Sequence, residues 1–280
     1  MVAFAAFASG IAYIAGYWVT GGQSSVAPYA IGAALIYTVI TYYSGSKMAL
    51  ALNGAHEVTK REEARLYRIV ENLSITEGMP MPKVYVIEDA GMNAFATGRD
   101  PDHAVVCATR GIMEALTDSE LEGVMAHELG HVKNYDIRVS LVAFALASVI
   151  GIISDIVLRM WFWGGNNDDD GPGSNPVFMA IGLVAILLSP LVAFLIQMAI
   201  SRRREFLADA TGALTTRYPE GLASALEKIG QNGGALRRQN TSTAHLFFAS
   251  PLKGKAIANL FSTHPPIEER VKRLRQMGRG

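Results

Sequence analysis

The chain has 280 residues, of which 50% are hydrophobic and 18% are charged, and its 25 basic residues are balanced by 25 acidic ones. Since soluble proteins carry roughly 25% charged residues, this composition excludes a disordered chain, a coiled coil and a nucleic-acid-binding protein with a basic face. The one cysteine, Cys107, excludes an intrachain disulfide and a thiolate metal cluster.

Four apolar runs predict two transmembrane hairpins, one within residues 1–44 and the other within residues 138–201. The uncharged runs are residues 3–20, 26–44, 139–154 and 177–201. Each approaches the roughly 20 residues that span a bilayer as a helix. Helices buried in a soluble core are the alternative, but they would need an unusually large core. A signal peptide is disfavoured because a second apolar run follows the first at once.

Basic residues flank the hairpins on one side and predict their orientation. They are Lys47, Lys60, Arg61, Arg65, Arg68, Lys133, Arg138, Arg202, Arg203 and Arg204. The positive-inside rule makes this side cytoplasmic. The chain is therefore predicted to be a multi-pass protein of the cell membrane. Its polar segments and both termini are expected to face the cytoplasm, and the acidic loop at residues 164–172 is expected outside.

The polar segments, residues 45–137 and 202–280, are together long enough for one compact domain that the second hairpin splits in sequence. In chain order, residues 62–73 are predicted to form a helix. Residues 83–88, 93–97 and 104–109 are predicted to form strands, since they alternate in polarity or are bounded by turn residues. The expected fold class is α+β, mostly helical, with a small β-sheet.

The chemistry centres on a His-Glu-x-x-His pattern. Thr117 and Glu120 form a capping-box pattern that predicts a helix start. About three turns later, His127 and His131 lie four residues apart and can reach one Zn²⁺ from the same helix face. Glu128 is predicted to be the general base that takes a proton from the attacking water. Two surface histidines on an amphipathic helix are the alternative.

A mononuclear catalytic zinc site needs a third protein ligand. Glu205 directly follows the last apolar run and is predicted to be that ligand. Asp209, one helical turn later, is predicted to accept the other ring N–H of a ligand histidine and to fix its tautomer. Ion pairs of both carboxylates with residues 202–204 are the alternative for this segment.

Five stretches together resemble the HtpX group of membrane zinc metalloproteases, which are relatives of the CAAX prenyl proteases. They are residues 80–88, 93–98, 127–136, 205–209 and 263–270. The resemblance implies a gluzincin-type zinc peptidase domain with one Zn²⁺ per chain, anchored by four transmembrane helices. It also implies an endopeptidase that acts in membrane-protein quality control.

The resemblance extends to residues around the metal site. The strand that starts at Asn93 is similar to the family's substrate-lining edge, so a peptide could add to it by backbone pairing. The family's C-terminal segment approaches the active site. His264 or Arg270 is therefore expected to help hold the site or to stabilise the oxyanion. A simple turn that starts a helix is the alternative for His264.

The expected partners are protein substrates and the lipid bilayer, without nucleic acid, and the oligomeric state is left open. Two other functions remain. One is a zinc hydrolase of a non-peptide substrate. The other is a catalytically inactive membrane scaffold or adaptor, which would have no need for a general base at Glu128.

Overall fold

The computed structural model of the chain describes residues 27–145, 202–232, 236–237, 243, 246–249 and 265–278. The chain divides into two compact units, Met1–Gly45 with Val142–Ile196, and Ser46–Leu141 with Gln197–Gly280. The predicted runs at residues 3–20 and 177–201, and most of the run at residues 139–154, lie outside the described residues. The predicted domain boundaries remain predictions.

The first helix, α1 (Ala27–Asn53), includes residues 27–44 of the predicted run at residues 26–44. Several of its large apolar side chains are exposed, among them Tyr29, Ile36 and Val39. In the first unit, the Tyr37 hydroxyl donates to the Ala145 carbonyl at 3.1 Å. Among the described helices, none is both long and apolar enough to cross a membrane.

The second unit contains a small mixed sheet. Its strands are β1 (Ala55–Glu57), β2 (Lys83–Ile87), β3 (Ala94–Thr97) and β4 (Val105–Thr109). They lie in the order β1-β2-β4-β3, with β2 and β4 parallel and the other two pairs antiparallel. The three predicted strands are confirmed to within one residue at each end. Among the described strands, β3 lies at an edge of the sheet, and backbone groups on its outer side can pair with another segment.

Six helices with defined bounds are described around this sheet. They are α2 (Ala64–Glu77), α3 (Arg110–Ala115), α4 (Asp118–Lys133), α5 (Arg202–Thr216), α6 (Pro219–Asn232) and α7 (Ile267–Met277). The predicted helix at residues 62–73 corresponds to α2. Mostly helical content with a small sheet confirms the coarse fold class.

Helix α4 is the central element of this unit, because most of its side chains are buried between the sheet and the other helices. It begins with the predicted capping box, which is confirmed: Thr117 Oγ1 accepts from Glu120 N, and Glu120 Oε2 accepts from Thr117 N. The Glu120 carboxylate also accepts from Ser224 at 2.6 Å and from Lys228 at 2.7 Å, both on α6. This cluster joins the start of α4 to α6.

Small residues let α5 approach α4 closely. A Cβ added at Gly212 would lie 3.0 Å from the backbone nitrogen of His127, tighter than nearly all ordinary contacts. A Cβ at Gly130 would lie 3.4 Å from Cα of Ala208. Because these positions lack side-chain bulk, the two helices that carry the candidate ligands meet along their backbones.

Candidate metal centre

Helix α4 places the two histidines of the His-Glu-x-x-His pattern on one face. The Nε2 atoms of His127 and His131 lie 3.1 Å apart, and the ring planes meet at 89°. The His127 side chain is 1% exposed and that of His131 is 16% exposed. The one-turn spacing therefore directs both Nε2 atoms at a common point.

Helix α5 adds Glu205 from its first turn. Its Oε1 lies 3.4 Å from His131 Nε2, and its Oε2 lies 3.8 Å from His127 Nε2. One ligand atom from each of the three residues lies within 4.8 Å of the others, so together they could hold a metal ion. Two imidazole nitrogens and one carboxylate oxygen fit the donor set of a catalytic zinc site, which keeps a further position open for reaction.

His127 is oriented from behind by a buried carboxylate. Its Nδ1 lies 2.9 Å from Asp209 Oδ1, and Asp209 also accepts two hydrogen bonds from Arg270. Burial, together with the positive charge of Arg270, lowers the pKa of His127 although Asp209 opposes this shift. The neutral imidazole is the form that binds metals.

Asp209 itself stays ionised. Burial alone would raise its pKa, but the Arg270 guanidinium and the bond to His127 outweigh burial and lower the pKa of Asp209 to about 2. Arg270 is 1% exposed. The charge of the buried carboxylate is thus balanced by a buried cation.

The Nδ1 side of the His131 ring faces a carboxylate to which the sequence analysis assigned no role. Its Nδ1 lies 3.0 Å from Asp136 Oδ2, and Asp136 Oδ1 accepts from Arg204 at 3.2 Å. Burial disfavours charge on this ring, but the carboxylates of Asp136 and Glu205 raise the pKa of His131 above its usual value. Asp136 is the last residue of the stretch 127–136 that carries the family resemblance, but the sequence analysis assigned it no role.

Glu128 directly follows His127 on α4 and is 3% exposed. Its negative charge helps to raise the pKa of His131 and, after burial, that of the Cys107 thiol on β4. Glu128 is therefore a buried carboxylate that directly follows a candidate ligand in sequence. A buried carboxylate at this place in a His-Glu-x-x-His helix fits a role in proton transfer.

An aromatic residue packs against the candidate centre. The ring of Phe248 meets that of His127 edge to face, with centroids 5.0 Å apart, and the Arg270 guanidinium carbon lies 4.8 Å from its centroid. Phe248 N donates to the Ala94 carbonyl on β3 at 2.8 Å. Sequence patterns gave no signal for Phe248, because its described contacts with His127, Arg270 and Ala94 join segments that are distant in sequence.

Asn93 is fully buried at the start of the edge strand. Its side-chain amide donates to the Ala249 carbonyl at 2.8 Å, and its amide oxygen accepts from Ala249 N at 3.0 Å. Asn93 therefore fixes the segment that carries Phe248. Its predicted role toward substrate stays a prediction, and His264 lies outside the described residues.

A buried His-Glu-x-x-His helix with a carboxylate supplied by a neighbouring helix is the arrangement of a metallopeptidase. The family model of peptidase family M48 matches residues 60–278. The chain therefore belongs to peptidase family M48, and it is a metalloprotease.

Curated relatives agree with this membership. The chain is 54% identical over 242 residues to the protease HtpX homolog of Tropheryma whipplei strain TW08/27, covering 86% of this chain and 82% of the relative. It is 42% identical over 283 residues to the protease HtpX homolog of Streptococcus gordonii, covering 99% and 95%. The predicted resemblance to the HtpX group is confirmed.

A solved structure supports the fold. The crystal structure of S. mikatae Ste24p matches with a TM-score of 0.54 at 17% identity, over 96% of this chain and 63% of that chain. The present chain thus spans less than two thirds of that protein. The similarity shows a shared fold.

Proposed function

We propose that the chain is a membrane-integral, zinc-dependent endopeptidase that hydrolyses misfolded membrane or cytosolic proteins in protein quality control. One observation carries this proposal: the ligand atoms of His127, His131 and Glu205 converge within 4.8 Å, and the helix that carries the two histidines also carries the buried Glu128. The family and the relatives named as proteases support protein substrates.

We assign each residue of this centre a separate role in hydrolysis. His127, His131 and Glu205 would hold the zinc, which when bound polarises the scissile carbonyl and makes water more acidic. Glu128 takes a proton from the attacking water as general base and then delivers it to the leaving amine. Asp209 accepts the Nδ1 proton of His127, so the Nε2 lone pair faces the metal position.

The contacts of Arg270 bear on its proposed role. Arg270 gives both of its hydrogen bonds of good length to Asp209 and is buried. This supports a role in holding the site more than a direct contact with an oxyanion. For His264 we retain both proposals, oxyanion stabilisation and a simple helix-start turn.

The edge strand supports a mode of substrate binding. Asn93 O accepts from Thr109 N on β4, so the next peptide groups that face away from β4 are those of Ala94 and Ala96. Ala94 already accepts from Phe248 N. A substrate strand would then pair at the Ala96 end of β3, beside the helix that carries Glu128.

For location, we propose four transmembrane helices in the cell membrane, with the catalytic domain and both termini in the cytoplasm. The basic flanks and the exposed apolar side chains of α1 support this. On a Cys107→Ser background, the Asp169→Cys variant should react with an impermeant reagent in intact cells, and the Arg203→Cys variant should not. The reverse pattern would place the catalytic domain outside.

The proteolytic activity is tested with the purified full chain and an unfolded model protein. We expect cleavage that a chelator stops and that added zinc restores. Cleavage of non-peptide esters without cleavage of the protein would favour the non-peptide hydrolase. Zinc binding without any hydrolysis would favour the scaffold. The matched variants are Glu128→Gln and Glu122→Gln, because Glu122 lies on the same helix and is only half-buried.

A further inference from the structure

We propose that Asp136 is a positioning residue that orients His131 as a metal ligand. Asp136 links the His131 ring to Arg204, in the same way that Asp209 links the His127 ring to Arg270. The inference rests on the proposed function only in that His131 ligates the metal. Each candidate ligand histidine would then be held by an aspartate, and each aspartate would be backed by an arginine.

The backbone explains how a residue five positions after His131 can reach it. On a continuous helix that residue would point about 140° away from the histidine, since each residue turns the helix by roughly 100°. Helix α4 ends at Lys133 with Asn134 as its cap, and Tyr135 takes the left-handed conformation at φ 60°. This turn redirects the chain, and Asp136 meets the His131 ring.

The left-handed conformation is energetically unfavourable for Tyr135. This position after a helix usually carries glycine, and a residue with a side chain loses about 1–2 kcal/mol there. The cost is tolerated when surrounding contacts fix the conformation. Here the contact it creates is the 3.0 Å approach of Asp136 Oδ2 to His131 Nδ1.

Arg204 binds Asp136 from α5, the second helix that carries a candidate ligand. It bonds Asp136 Oδ1 at 3.2 Å, and it directly precedes Glu205 in sequence. The Asp136–Arg204 pair therefore joins the end of α4 to the first turn of α5, where the third candidate ligand begins. The pair fixes the histidine ring and the spacing between the two ligand helices together.

A carboxylate that accepts the Nδ1 proton keeps the Nε2 lone pair free for the metal. Loss of such a partner typically weakens metal affinity by about 10–100-fold. Asparagine at position 136 can still accept through its amide oxygen, whereas alanine cannot. We therefore expect a clear loss of affinity in Asp136→Ala and substantial rescue in Asp136→Asn.

The test uses the full chain in detergent on a Glu128→Gln background, which prevents self-cleavage. Zinc affinity is measured by competition with a chromogenic chelator, and the absorption spectrum is recorded with Co²⁺ in the site. Asp136→Ala should raise the zinc Kd by about 10–100-fold and change the Co²⁺ spectrum. Asp136→Asn should lie within about tenfold of the parent, and Asp102→Ala, at an exposed position, should match it.

Two results would overturn the proposal for Asp136. One is a parental Kd and Co²⁺ spectrum in Asp136→Ala. The other, if that variant does not fold, is equal affinity in Arg204→Ala and in the exposed control Arg202→Ala. Failure of the proposed function is distinguishable from both results. A parent that binds no zinc would refute the metal centre itself, whereas loss of the proteolytic assignment alone shows only in the cleavage assay of the wild-type chain and leaves the zinc titration of the Asp136 variants unchanged.

Discussion

Arg270 and Asp209 form a buried two-bond ion pair, with Arg270 Nε 2.9 Å from Oδ2 and Nη2 2.7 Å from Oδ1 of the carboxylate. The pair links the last described helix, α7, to α5. Through the contact of Asp209 with His127, it also links α7 to α4. The C-terminal helix is thereby part of the architecture of the metal centre.

Replacing Arg270 with alanine should destabilise the fold strongly, because Asp209 would be left as a buried charge without its cation. Removal of one partner of such a pair costs about 3–5 kcal/mol of unfolding free energy. Chemical denaturation of the purified chain in detergent measures this. Lys272→Ala, an exposed change on the same helix, is the control, and equal denaturation midpoints for the two variants would refute the role of the pair.

Replacing Glu128 with glutamine should separate metal binding from turnover. Glutamine keeps the shape of the side chain but cannot take the proton from water. We expect unchanged zinc stoichiometry and a loss of proteolysis of at least about 10²–10⁴-fold. Elemental analysis and cleavage of an unfolded protein are measured on the same sample. Activity within tenfold of wild type would assign proton transfer to another residue.

Replacing Gly212 with alanine should push α5 away from α4 at His127. The added Cβ meets backbone atoms of Ala126 and His127, which cannot give way without moving the helix. The expected cost is about 1–3 kcal/mol of stability. Since Glu205 lies on the same helix, zinc affinity should fall as well.

The control for this change is Gly230→Ala. There the added Cβ meets the flexible end of the Ile267 side chain at 3.1 Å, and that end can move aside. Calorimetry and zinc titration are compared for the two variants. Zinc affinity that is unchanged in Gly212→Ala would show that the close helix crossing does not set the ligand spacing.

The Glu120 cluster predicts a specific pH dependence of stability. Burial alone would raise the pKa of the Glu120 carboxylate. Hydrogen bonds from Lys228, Ser224 and the Thr117 backbone outweigh burial and lower this pKa from 4.5 to about 2. The folded pKa is below the unfolded one, so this stabilisation is present above pH 4.5 and is lost as the pH falls toward 2.

Glu120→Gln should therefore lower stability at neutral pH by at most about 3 kcal/mol, and its difference from wild type should shrink as the pH falls below 4.5. Denaturation curves at a series of pH values measure this difference. Glu122→Gln on the same helix is the control. A difference that stays constant with pH would contradict the assignment.

Local features of the fold were predictable from sequence. The capping box at Thr117 and Glu120 depends only on residues three positions apart, and it marks the start of α4 correctly. The three predicted strands were recognised by alternation and by bounding turn residues. The three-residue strand β1 and the parallel pairing of β2 with β4 were not predicted, because both depend on contacts distant in sequence.

The same distinction applies to the candidate site. His127 and His131 are recognisable because helical periodicity alone brings residues four apart together. Asp136 was not assigned a role, because its contact requires a left-handed turn at Tyr135 that the sequence does not signal with glycine or asparagine. Phe248 reaches His127 only after the chain has folded, so local pattern analysis has no means to identify it.

The most direct test of the account is a zinc titration of the metal-stripped full chain, with cleavage of an unfolded protein as the readout. If His127, His131 and Glu205 form one catalytic metal centre, activity should be absent without metal and should reach its maximum at one equivalent of zinc per chain. Full activity of the metal-stripped chain, or maximal activity in a His127→Ala, His131→Ala double variant, would contradict the account.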